Sequence, residues 1–352
     1  MSNRNPNDGS LGRNEAVSPV PRSGLLAAGT FVLDHVKLID AWPEQDMLAN
    51  ITSETKSNGG GPYNVLKDLK ALGAEFPLEA SGLLGDDPDA AWIRADCHEH
   101  DIDTMQLRTT PEAATSYTDA MCVQSDGRRT FFHQRGANSL FAPEHVDLAA
   151  SGAKIFLLGY LLLLDAMDQL DGDGRTEASK LLGTARSLGY ITAVETVSTL
   201  DERFRDVVVA SLGEADFFFL NEVEASLILD EDVEPNSASL RSAATSLADL
   251  GTSGRVIVHC VHGAVCHEPD GTIVTQPSLD LPQDSIDGST GAGDAFTAGF
   301  LYGVHEDADI QQCLLQGVCA AAQSLTHPTA SGGMRPLSEC MALPDRFSFR
   351  QF

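Results

Sequence analysis

One ten-residue stretch near the carboxyl end of the chain decides both the fold and the chemistry. It reads Asp287-Gly288-Ser289-Thr290-Gly291-Ala292-Gly293-Asp294-Ala295-Phe296, and an apolar run with helical character follows it. Small residues that lead directly into a helix leave main-chain N–H groups free to converge on an anion. Asp294 falls in the first helical turn, where a carboxylate is either a general base beside that anion or a residue that simply favours a helix start. The stretch predicts a site that holds a phosphoryl group in transfer.

The composition limits what this site can bind. The 352 residues contain 23 Lys and Arg against 51 Asp and Glu, a net charge of −28. A chain this acidic is repelled by nucleic acid and by anionic membranes, so neither is expected as a partner. The longest apolar stretch, 155–164, is about half the roughly 20 residues that span a bilayer. An anionic substrate must therefore be attracted by local devices such as helix amides or a metal ion.

Cysteine usage and the first residues predict a cytoplasmic protein with an unstructured start. The seven cysteines include no CxxC pair, which is typical of reduced thiols. Cys260 and Cys319 lie in apolar runs, where a buried structural thiol is expected. Residues 1–23 are rich in Asn, Ser, Pro, Arg and Gly and lack the apolar core of a signal peptide. They are expected to form a disordered leader.

Residues 24–352 alternate between short apolar runs and helical windows, as in an α/β domain. Strands are predicted at 24–33, 78–84, 154–158, 191–195, 217–220 and 256–260. Helices are predicted at 61–72, 89–100, 175–188, 201–212, 222–229 and 238–250. Runs that are apolar on both faces and are each followed by a helix indicate a mainly parallel central sheet with helical layers.

Two polar, β-leaning segments, about 35–58 and 112–134, interrupt that alternation. The second is predicted to be a hairpin that turns at Ser125-Asp126-Gly127. We expect a small accessory β-sheet that acts as a lid; long surface loops are the alternative. Arg128, Arg129 and Arg135 bring positive charge here and could bind a phosphate or carboxylate of an acceptor. Arg128 and Arg129 follow the predicted turn directly, and this position favours exposure of both side chains.

Three further motifs accompany the late stretch. They are Gly29 to Asp34, Gly59-Gly60-Gly61 with Asn64, and Asn221-Glu222-Val223-Glu224. Together the four resemble the PfkB or ribokinase-like family of carbohydrate and nucleoside kinases, in the expected order and over nearly the whole chain after residue 23. The resemblance implies a three-layer α/β/α ribokinase-like fold with a mainly parallel central sheet and a small β-sheet lid. The sequence contains no G-x-x-x-x-G-K-[ST], so a Walker-type nucleotide site is not expected.

The resemblance also implies ATP-dependent phosphoryl transfer to a primary hydroxyl of a sugar or sugar-like acceptor. Asp294 matches the family's catalytic base, and its anion hole is matched by Gly291, Ala292 and Gly293. The implied acceptor site consists of Asp34, Gly60, Gly61, Asn64 and Asn138. A carboxylate such as Asp34 can accept hydrogen bonds from two vicinal hydroxyls. Purely structural roles for Asp34, and for Asn64 as a residue of a first helical turn, are the alternatives.

The nucleotide side of the implied site consists of Asn221, Glu224, Gly263 and Thr290. Asn221 and Glu224 would organise Mg²⁺, commonly through water, because this ion keeps much of its hydration shell. Taken alone, N-x-x-E is also a common helix-capping pattern. Glu195, at the end of another predicted strand, points to the same edge of the sheet. A homodimer through the lid is implied as well, whereas no side-chain pattern decides the monovalent-cation activation seen in parts of the family.

Departures from the family pattern leave the acceptor open. Gly61 stands where lysine is frequent, and Gly159-Tyr160 replaces the polar residues of ribokinase itself, so ribose is not specifically indicated. A nucleoside kinase is an alternative, for which Tyr63 or Phe132 could supply an aromatic platform. A sugar-binding regulatory protein without turnover is another, and release of ADP distinguishes it from a kinase.

Overall fold

The computed structural model describes residues 21–125 and 129–352. The expected leader therefore lies outside the described residues apart from 21–23, and so do Asp126 and Gly127 of the predicted turn, with Arg128. Within 21–23, Arg22 donates a hydrogen bond of 2.9 Å to the carbonyl of Ala153 and lies over the ring of Tyr190. The chain is thus already packed on the domain at residue 22.

The elements alternate much as the apolar pattern predicts. The described strands are β1 (Leu25–Gly29), β2 (Val32–Ile39), β3 (Ile51–Gly59), β4 (Leu78–Gly85), β5 (Asp103–Thr110), β6 (Tyr117–Val123), β7 (Arg129–Gln134), β8 (Ile155–Leu161), β9 (Ile191–Thr196), β10 (Phe217–Asn221), β11 (Arg255–Cys260), β12 (Gly263–His267) and β13 (Ile273–Pro277). The described helices are α1 (Gly61–Leu72), α2 (Pro88–Glu99), α3 (Glu177–Ser187), α4 (Phe204–Leu212), α5 (Glu222–Leu229), α6 (Ser237–Asp249), α7 (Ala292–His305), α8 (Ile310–Ser324) and α9 (Leu337–Cys340). Among these described helices, none combines the length and the apolar character needed to cross a bilayer.

The central sheet is mainly parallel, as predicted. Within the described ranges it has nine strands in the order β13-β12-β11-β10-β9-β8-β1-β4-β5. All neighbours from β11 to β5 pair in parallel, and β12 and β13 extend the β11 edge in antiparallel orientation. Strand β1 lies inside the sheet, with Leu25 opposite Leu78 of β4 and Ile155 of β8.

Helices cover both faces of this sheet and give the predicted three layers. Side chains alternate across a strand, so Leu25 and Ala27 of β1 pack with α1, α2, α7 and α8, whereas Leu26 and Ala28 pack with α3 to α6. All four residues are fully buried. Burying one leucine side chain contributes roughly 1.5–3 kcal/mol, and these two apolar layers are what fix the helices around the carboxyl edge of the sheet.

The first predicted strand, 24–33, is wrong as a single element. The chain leaves the central sheet at Thr30, whose amide donates to the carbonyl of Gly159 at 2.7 Å, and Phe31 stacks on Tyr63 with ring centroids 5.4 Å apart. Val32 then opens β2 in a second sheet. The apolar pattern runs through this break because both sides of it are buried.

The second sheet is the expected lid. In the described part of the chain it has four strands in the order β3-β2-β6-β7, and both predicted lid segments contribute to it, so the interpretation as loops is wrong. Its β2 and β3 pair antiparallel from Val32 and Gly59 outward. On the lid surface Trp42 stacks on Phe132, with ring centroids 6.3 Å apart.

Candidate active site

The glycine-rich loop turns into α7 at the carboxyl edge of the central sheet. Gly291 is the N-cap of this helix and has φ = +78°, a left-handed conformation that glycine adopts without strain. A Cβ atom on it would lie 2.7 Å from Cα of Ala330, so the close packing also requires glycine. The first turn of α7 therefore presents the main chain of Ala292 and Gly293 to the cleft at the positive end of the helix dipole.

Asp294 is buried in this first turn and is held by two donors. Asn64 Nδ2 donates to its Oδ2 at 2.7 Å, and the hydroxyl of Tyr160 donates to its Oδ1. Burial raises the pKa of Asp294, while both hydrogen bonds act in the opposite direction. A carboxylate whose basicity is increased and whose orientation is fixed has the properties of a general base.

Asn64 is itself oriented by polar side chains behind it. Asn58 Nδ2 donates to Asn64 Oδ1 at 2.7 Å and to the Ser331 hydroxyl at 2.9 Å. Asn58 belongs to lid strand β3, and Ser331 to the segment after α8. The side-chain amide of Asn64 is thus fixed between lid strand β3, the segment after α8 and Asp294. A residue with only a structural role at a helix start would not need these contacts.

Asp34 lies at the base of the lid, against the early glycines. A Cβ on Gly59 would come 2.4 Å from Asp34 Oδ1, and one on Gly60, which has φ = +88°, would come 2.5 Å from the Thr30 carbonyl. Burial raises the pKa of Asp34 to about 7; a hydrogen bond from Thr118 counteracts this, and the nearby charge of Asp294 adds to it. The carboxyl group therefore lies near Asp294, between the base of the lid and the early glycines.

Asn138 has a different environment from the other predicted acceptor residues. It is fully buried, and its Nδ2 donates to the Phe31 carbonyl at 3.4 Å. Its main-chain amide donates to Ser116 Oγ at 3.1 Å. The residue thereby ties the break between β1 and β2 to the return of the lid, while its Oδ1 atom is buried with no partner in the described structure.

Asn221 and Glu224 form a complete capping box at the start of α5. Glu224 Oε1 accepts from Ser198 at 3.0 Å, and Oε2 accepts from Thr196 at 2.9 Å and from the Asn221 amide at 3.0 Å. Burial raises the pKa of Glu224. Since both carboxylate oxygens already accept hydrogen bonds, the geometry favours contact with a hydrated metal ion over direct coordination. Thr196 and Ser198 are site residues that the sequence motifs do not reveal.

Two more buried carboxyl groups surround Asp294. Glu195 is the next-to-last residue of β9, close to the expected strand end, and its Oε2 atom has no hydrogen-bond partner within the described ranges. Neither oxygen of Asp68, one turn after Asn64 in α1, has a partner there either. Burial raises the pKa of both groups well above the ordinary range, with a further contribution from the charge of Asp294. No sequence signal marks Asp68, because an acidic residue in an amphipathic helix is normally exposed.

A polar cleft of about 340 Å³ and a more apolar cleft of about 450 Å³ meet at the loop. Both are lined by Asn221, His259, Ser289, Ala292 and Gly293. The polar cleft extends to Asp294, Tyr160 and Glu195. The apolar cleft extends to Gly263 and Phe296. Burial lowers the pKa of His259 to about 4, so a neutral imidazole separates the two spaces.

The lid contributes one side chain to the glycine-rich loop and one to the polar cleft. Arg129 Nη1 donates to the Thr290 hydroxyl, and Phe131, two residues further along β7, lines the cleft. The expectation that Arg129 is exposed is therefore wrong; Arg128 lies outside the described residues. Arg129 thus places a positive charge beside the glycine-rich loop of an otherwise acidic chain.

Neither aromatic residue suggested for a nucleoside base occupies this cleft. Tyr63 is fully buried in α1 and donates its hydroxyl to Asp96. Phe132 is 53% exposed on the lid surface, where it stacks on Trp42. Phe131 is the lid aromatic that lines the cleft. Neighbouring residues of a strand point to opposite faces of the sheet, so Phe131 and Phe132 have different surroundings.

The α/β fold thus carries a double cleft at the start of α7, and buried carboxyl groups lie around one side of it. The model of the pfkB family carbohydrate kinases matches residues 28–336, and the chain belongs to that family. It is an ATP-dependent carbohydrate kinase, and the expected fold is confirmed.

Characterised relatives and solved structures agree with this assignment. The chain is 26% identical to the ATP-dependent ribose-1-phosphate kinase of Halopiger xanaduensis over 92% of its own length and 99% of that protein. It is 28% identical to the fructokinase of Klebsiella pneumoniae over 70% of its length and 76% of that protein. The structure of ribokinase from Giardia lamblia superposes with a TM-score of 0.75 at 18% identity, over 92% of this chain and 99% of that one. The last likeness concerns the fold alone.

Proposed function

We propose that the protein transfers the γ-phosphoryl group of ATP to a primary hydroxyl of a sugar or sugar-like acceptor, with Asp294 as the general base. The observation that carries this proposal is the position of Asp294 in the polar cleft, one residue after the glycine loop. Asp294 accepts the proton of the acceptor hydroxyl as that oxygen bonds to the γ-phosphorus. The bond from phosphorus to the bridging oxygen breaks, and ADP leaves with the electron pair.

The acceptor would lie between Asp34 and Asp294 beneath the lid. The Asp34 carboxyl accepts hydrogen bonds from sugar hydroxyls, and the Asn64 amide group orients both Asp294 and the acceptor. Gly59 and Gly60 allow the close approach, since a Cβ at either position would meet Asp34 or Thr30 within 2.5 Å. Lid closure would exclude water, which otherwise competes as acceptor.

The transferred group would be held by main-chain donors and by the lid arginine. The amides at Gly291 to Gly293 stabilise the charge on the equatorial oxygens. Arg129, already at Thr290, adds a guanidinium group to the same position. The nucleotide would occupy the apolar cleft along Gly263, whose Cβ position is filled by the ring of Phe352 at 2.5 Å.

Magnesium would be held near Asn221 and Glu224 through water. The fit rests on their donor set: an amide and a buried carboxylate that orients hydroxyl groups of Thr196 and Ser198 around it. Once bound with the nucleotide, the ion would neutralise phosphate charge in an otherwise acidic cleft. Comparison of assays in potassium chloride and in choline chloride tests for activation by a monovalent cation.

We place the kinase in the cytoplasm, as a homodimer through the lid. Burial raises the pKa values of Cys97, Cys313 and Cys319 to about 12, which suits thiols that remain reduced. On the lid surface the stacked rings of Trp42 and Phe132 are each about half exposed. In a dimer, the lid of the second subunit would bury this exposed apolar area. Sedimentation of the wild type and of Phe132→Asp tests the dimer, and a monomeric wild type would contradict it.

The acceptor is tested by a panel scored by ADP formation. It contains pentoses, hexoses, sugar 1-phosphates, keto-deoxy acids and nucleosides, with Asp294→Asn as the control. Sugar 1-phosphates are included because one relative is a ribose-1-phosphate kinase. A sugar or sugar derivative that releases ADP supports the proposal. A protein that binds sugars but releases no ADP with any of them would overturn it in favour of a binding protein.

A further inference from the structure

Tyr160 occupies a fixed position between α1 and the base. It lies near the end of β8, and its main-chain amide donates to the Thr30 hydroxyl at 3.1 Å. Its ring packs on Gly61, where a Cβ atom would be only 2.5 Å from the ring Cε1 atom. The glycine that replaces the expected lysine at position 61 therefore makes room for this ring. With the backbone and the ring both held, the hydroxyl has little freedom.

That hydroxyl contacts the one carboxylate on which the proposed reaction depends. Tyr160 donates to Asp294 Oδ1 while Asn64 donates to Oδ2 at 2.7 Å, so the two oxygens are held from opposite sides. A carboxylate oxygen has two lone pairs, and Oδ1 thus keeps one that can receive the proton of an acceptor hydroxyl. The tyrosine defines which lone pair faces the cleft.

We propose that Tyr160 is a positioning residue of the phosphoryl transfer, which holds Asp294 in its ionised, reactive orientation through the hydrogen bond to Oδ1. The inference rests on the proposed role of Asp294 as base. It assigns a function to a position at which the chain departs from ribokinase itself and which no motif marks.

The surroundings of Asp294 explain why the carboxylate needs this donor. Four carboxyl groups lie around it: Asp34 from β2, Asp68 from α1, Glu195 from β9 and Glu224 from α5. Neutral His259 lies beside Gly293 on the remaining side. Burial favours the protonated form of Asp294, whereas the hydrogen bonds from Tyr160 and Asn64 favour its charged form. Removing one donor shifts the balance towards an acid that cannot accept a proton.

The test is the pH dependence of kcat/KM in Tyr160→Phe, with Tyr190→Phe as the matched control. Tyr190 is buried, and its hydroxyl donates to the carbonyls of Leu148 and Ser151, away from the cleft. A hydrogen bond to a charged group is worth about a factor of ten or more in an equilibrium. Tyr160→Phe is therefore expected to lose up to about tenfold on the acid limb of the profile, relative to the wild type, and to approach wild-type kcat/KM on the alkaline side. Tyr190→Phe should follow the wild-type profile throughout.

A loss of equal size at every pH would overturn the inference, because it would show a merely structural role; a wild-type profile would overturn it as well. Gly61→Ala provides a second variant should Tyr160→Phe fold poorly. The added methyl group must displace the Tyr160 ring, although the Tyr160 hydroxyl is retained. This variant should move the acid limb of the kcat/KM profile in the same direction as Tyr160→Phe. Asp294→Asn separates the two levels of the argument. If that variant keeps normal turnover, the proposed base is wrong; if it is inactive while Tyr160→Phe is unaffected, only the role of Tyr160 is wrong.

Discussion

Replacement of Gly291 by alanine tests whether the loop geometry carries the chemistry. The residue has φ = +78°, and the added Cβ would lie 2.7 Å from Cα and 2.8 Å from Cβ of Ala330. Ala330 is itself buried, so the loop and not a flexible side chain must move. Any such movement displaces the first amides of α7, which are the proposed anion hole.

The loss of folding free energy in Gly291→Ala has three contributions: backbone strain, a smaller opposing gain from the unfolded chain, and crowding. A non-glycine residue in the left-handed region costs roughly 1–2 kcal/mol, and the lost flexibility of the unfolded chain returns about 0.4–1 kcal/mol. Crowding against Ala330 adds about 1–3 kcal/mol. Gly189 is the matched control, because it has φ = +83° with nothing within 4 Å of its Cβ position. The difference between the two alanine variants should therefore equal the crowding alone, about 1–3 kcal/mol.

Urea unfolding followed by circular dichroism measures this difference, and an ADP-release assay measures turnover. Gly291→Ala is expected to be the less stable variant and to lose roughly 10²-fold in kcat, the size of effect seen when an anion-hole donor is misplaced. Gly189→Ala should keep wild-type kcat. Equal stability of the two variants together with normal turnover of Gly291→Ala would refute the steric argument and the anion-hole assignment.

Three further outcomes follow from the site. Arg129→Ala should lower kcat by roughly 10²-fold with little effect on acceptor KM, because its guanidinium contacts Thr290 of the loop proposed to hold the phosphoryl group. Arg108 is an exposed residue of β5, and Arg108→Ala should leave both unchanged. Asp34→Asn should raise acceptor KM by about tenfold or more through the loss of charge-assisted hydrogen bonds, with a smaller effect on ATP. The free energy of unfolding should fall as pH rises from about 4 to about 7. Burial raises the pKa values of Asp34 and Asp168 from 3.8 to about 7. In that pH range the folded state therefore binds more protons than the unfolded chain, and its stability declines as the pH rises. Urea titrations at several pH values check this, and Asp34→Asn should show a shallower decline; a stability that rises over the same range would contradict the burial of these carboxyl groups.

The parts of the fold that the sequence predicts are those with strong local signals. The α1 window, 61–72, agrees with the structure residue for residue, because its apolar spacing ends at Gly73, which has a positive φ. Strand β5 escaped prediction because its side chains are largely exposed at the edge of the sheet and show no apolar alternation. Helix α8 was missed as well, although Cys313, Leu314 and Val318 form a regular buried face.

The site divides in the same way. Asp294, Gly291 and Asn64 were found because each lies in a short motif, and the structure brings Asn64 and Asp294 into contact across 230 positions of the chain. Tyr160 and Arg129 lie in no motif. Their proposed roles depend on which face of a strand they occupy and on what the fold places opposite. Arg129, for example, follows a hairpin turn, which suggests exposure, but in the structure it contacts Thr290 of the glycine-rich loop.

The most direct test of the central claim is the Asp294→Asn enzyme, measured for ADP formation and for equilibrium binding of the acceptor. Asparagine preserves the size of the side chain but cannot take up the proton of the attacking hydroxyl. Turnover should fall by orders of magnitude while acceptor affinity stays near that of the wild type. An Asp294→Asn protein that phosphorylates the acceptor at close to the wild-type rate would contradict the account.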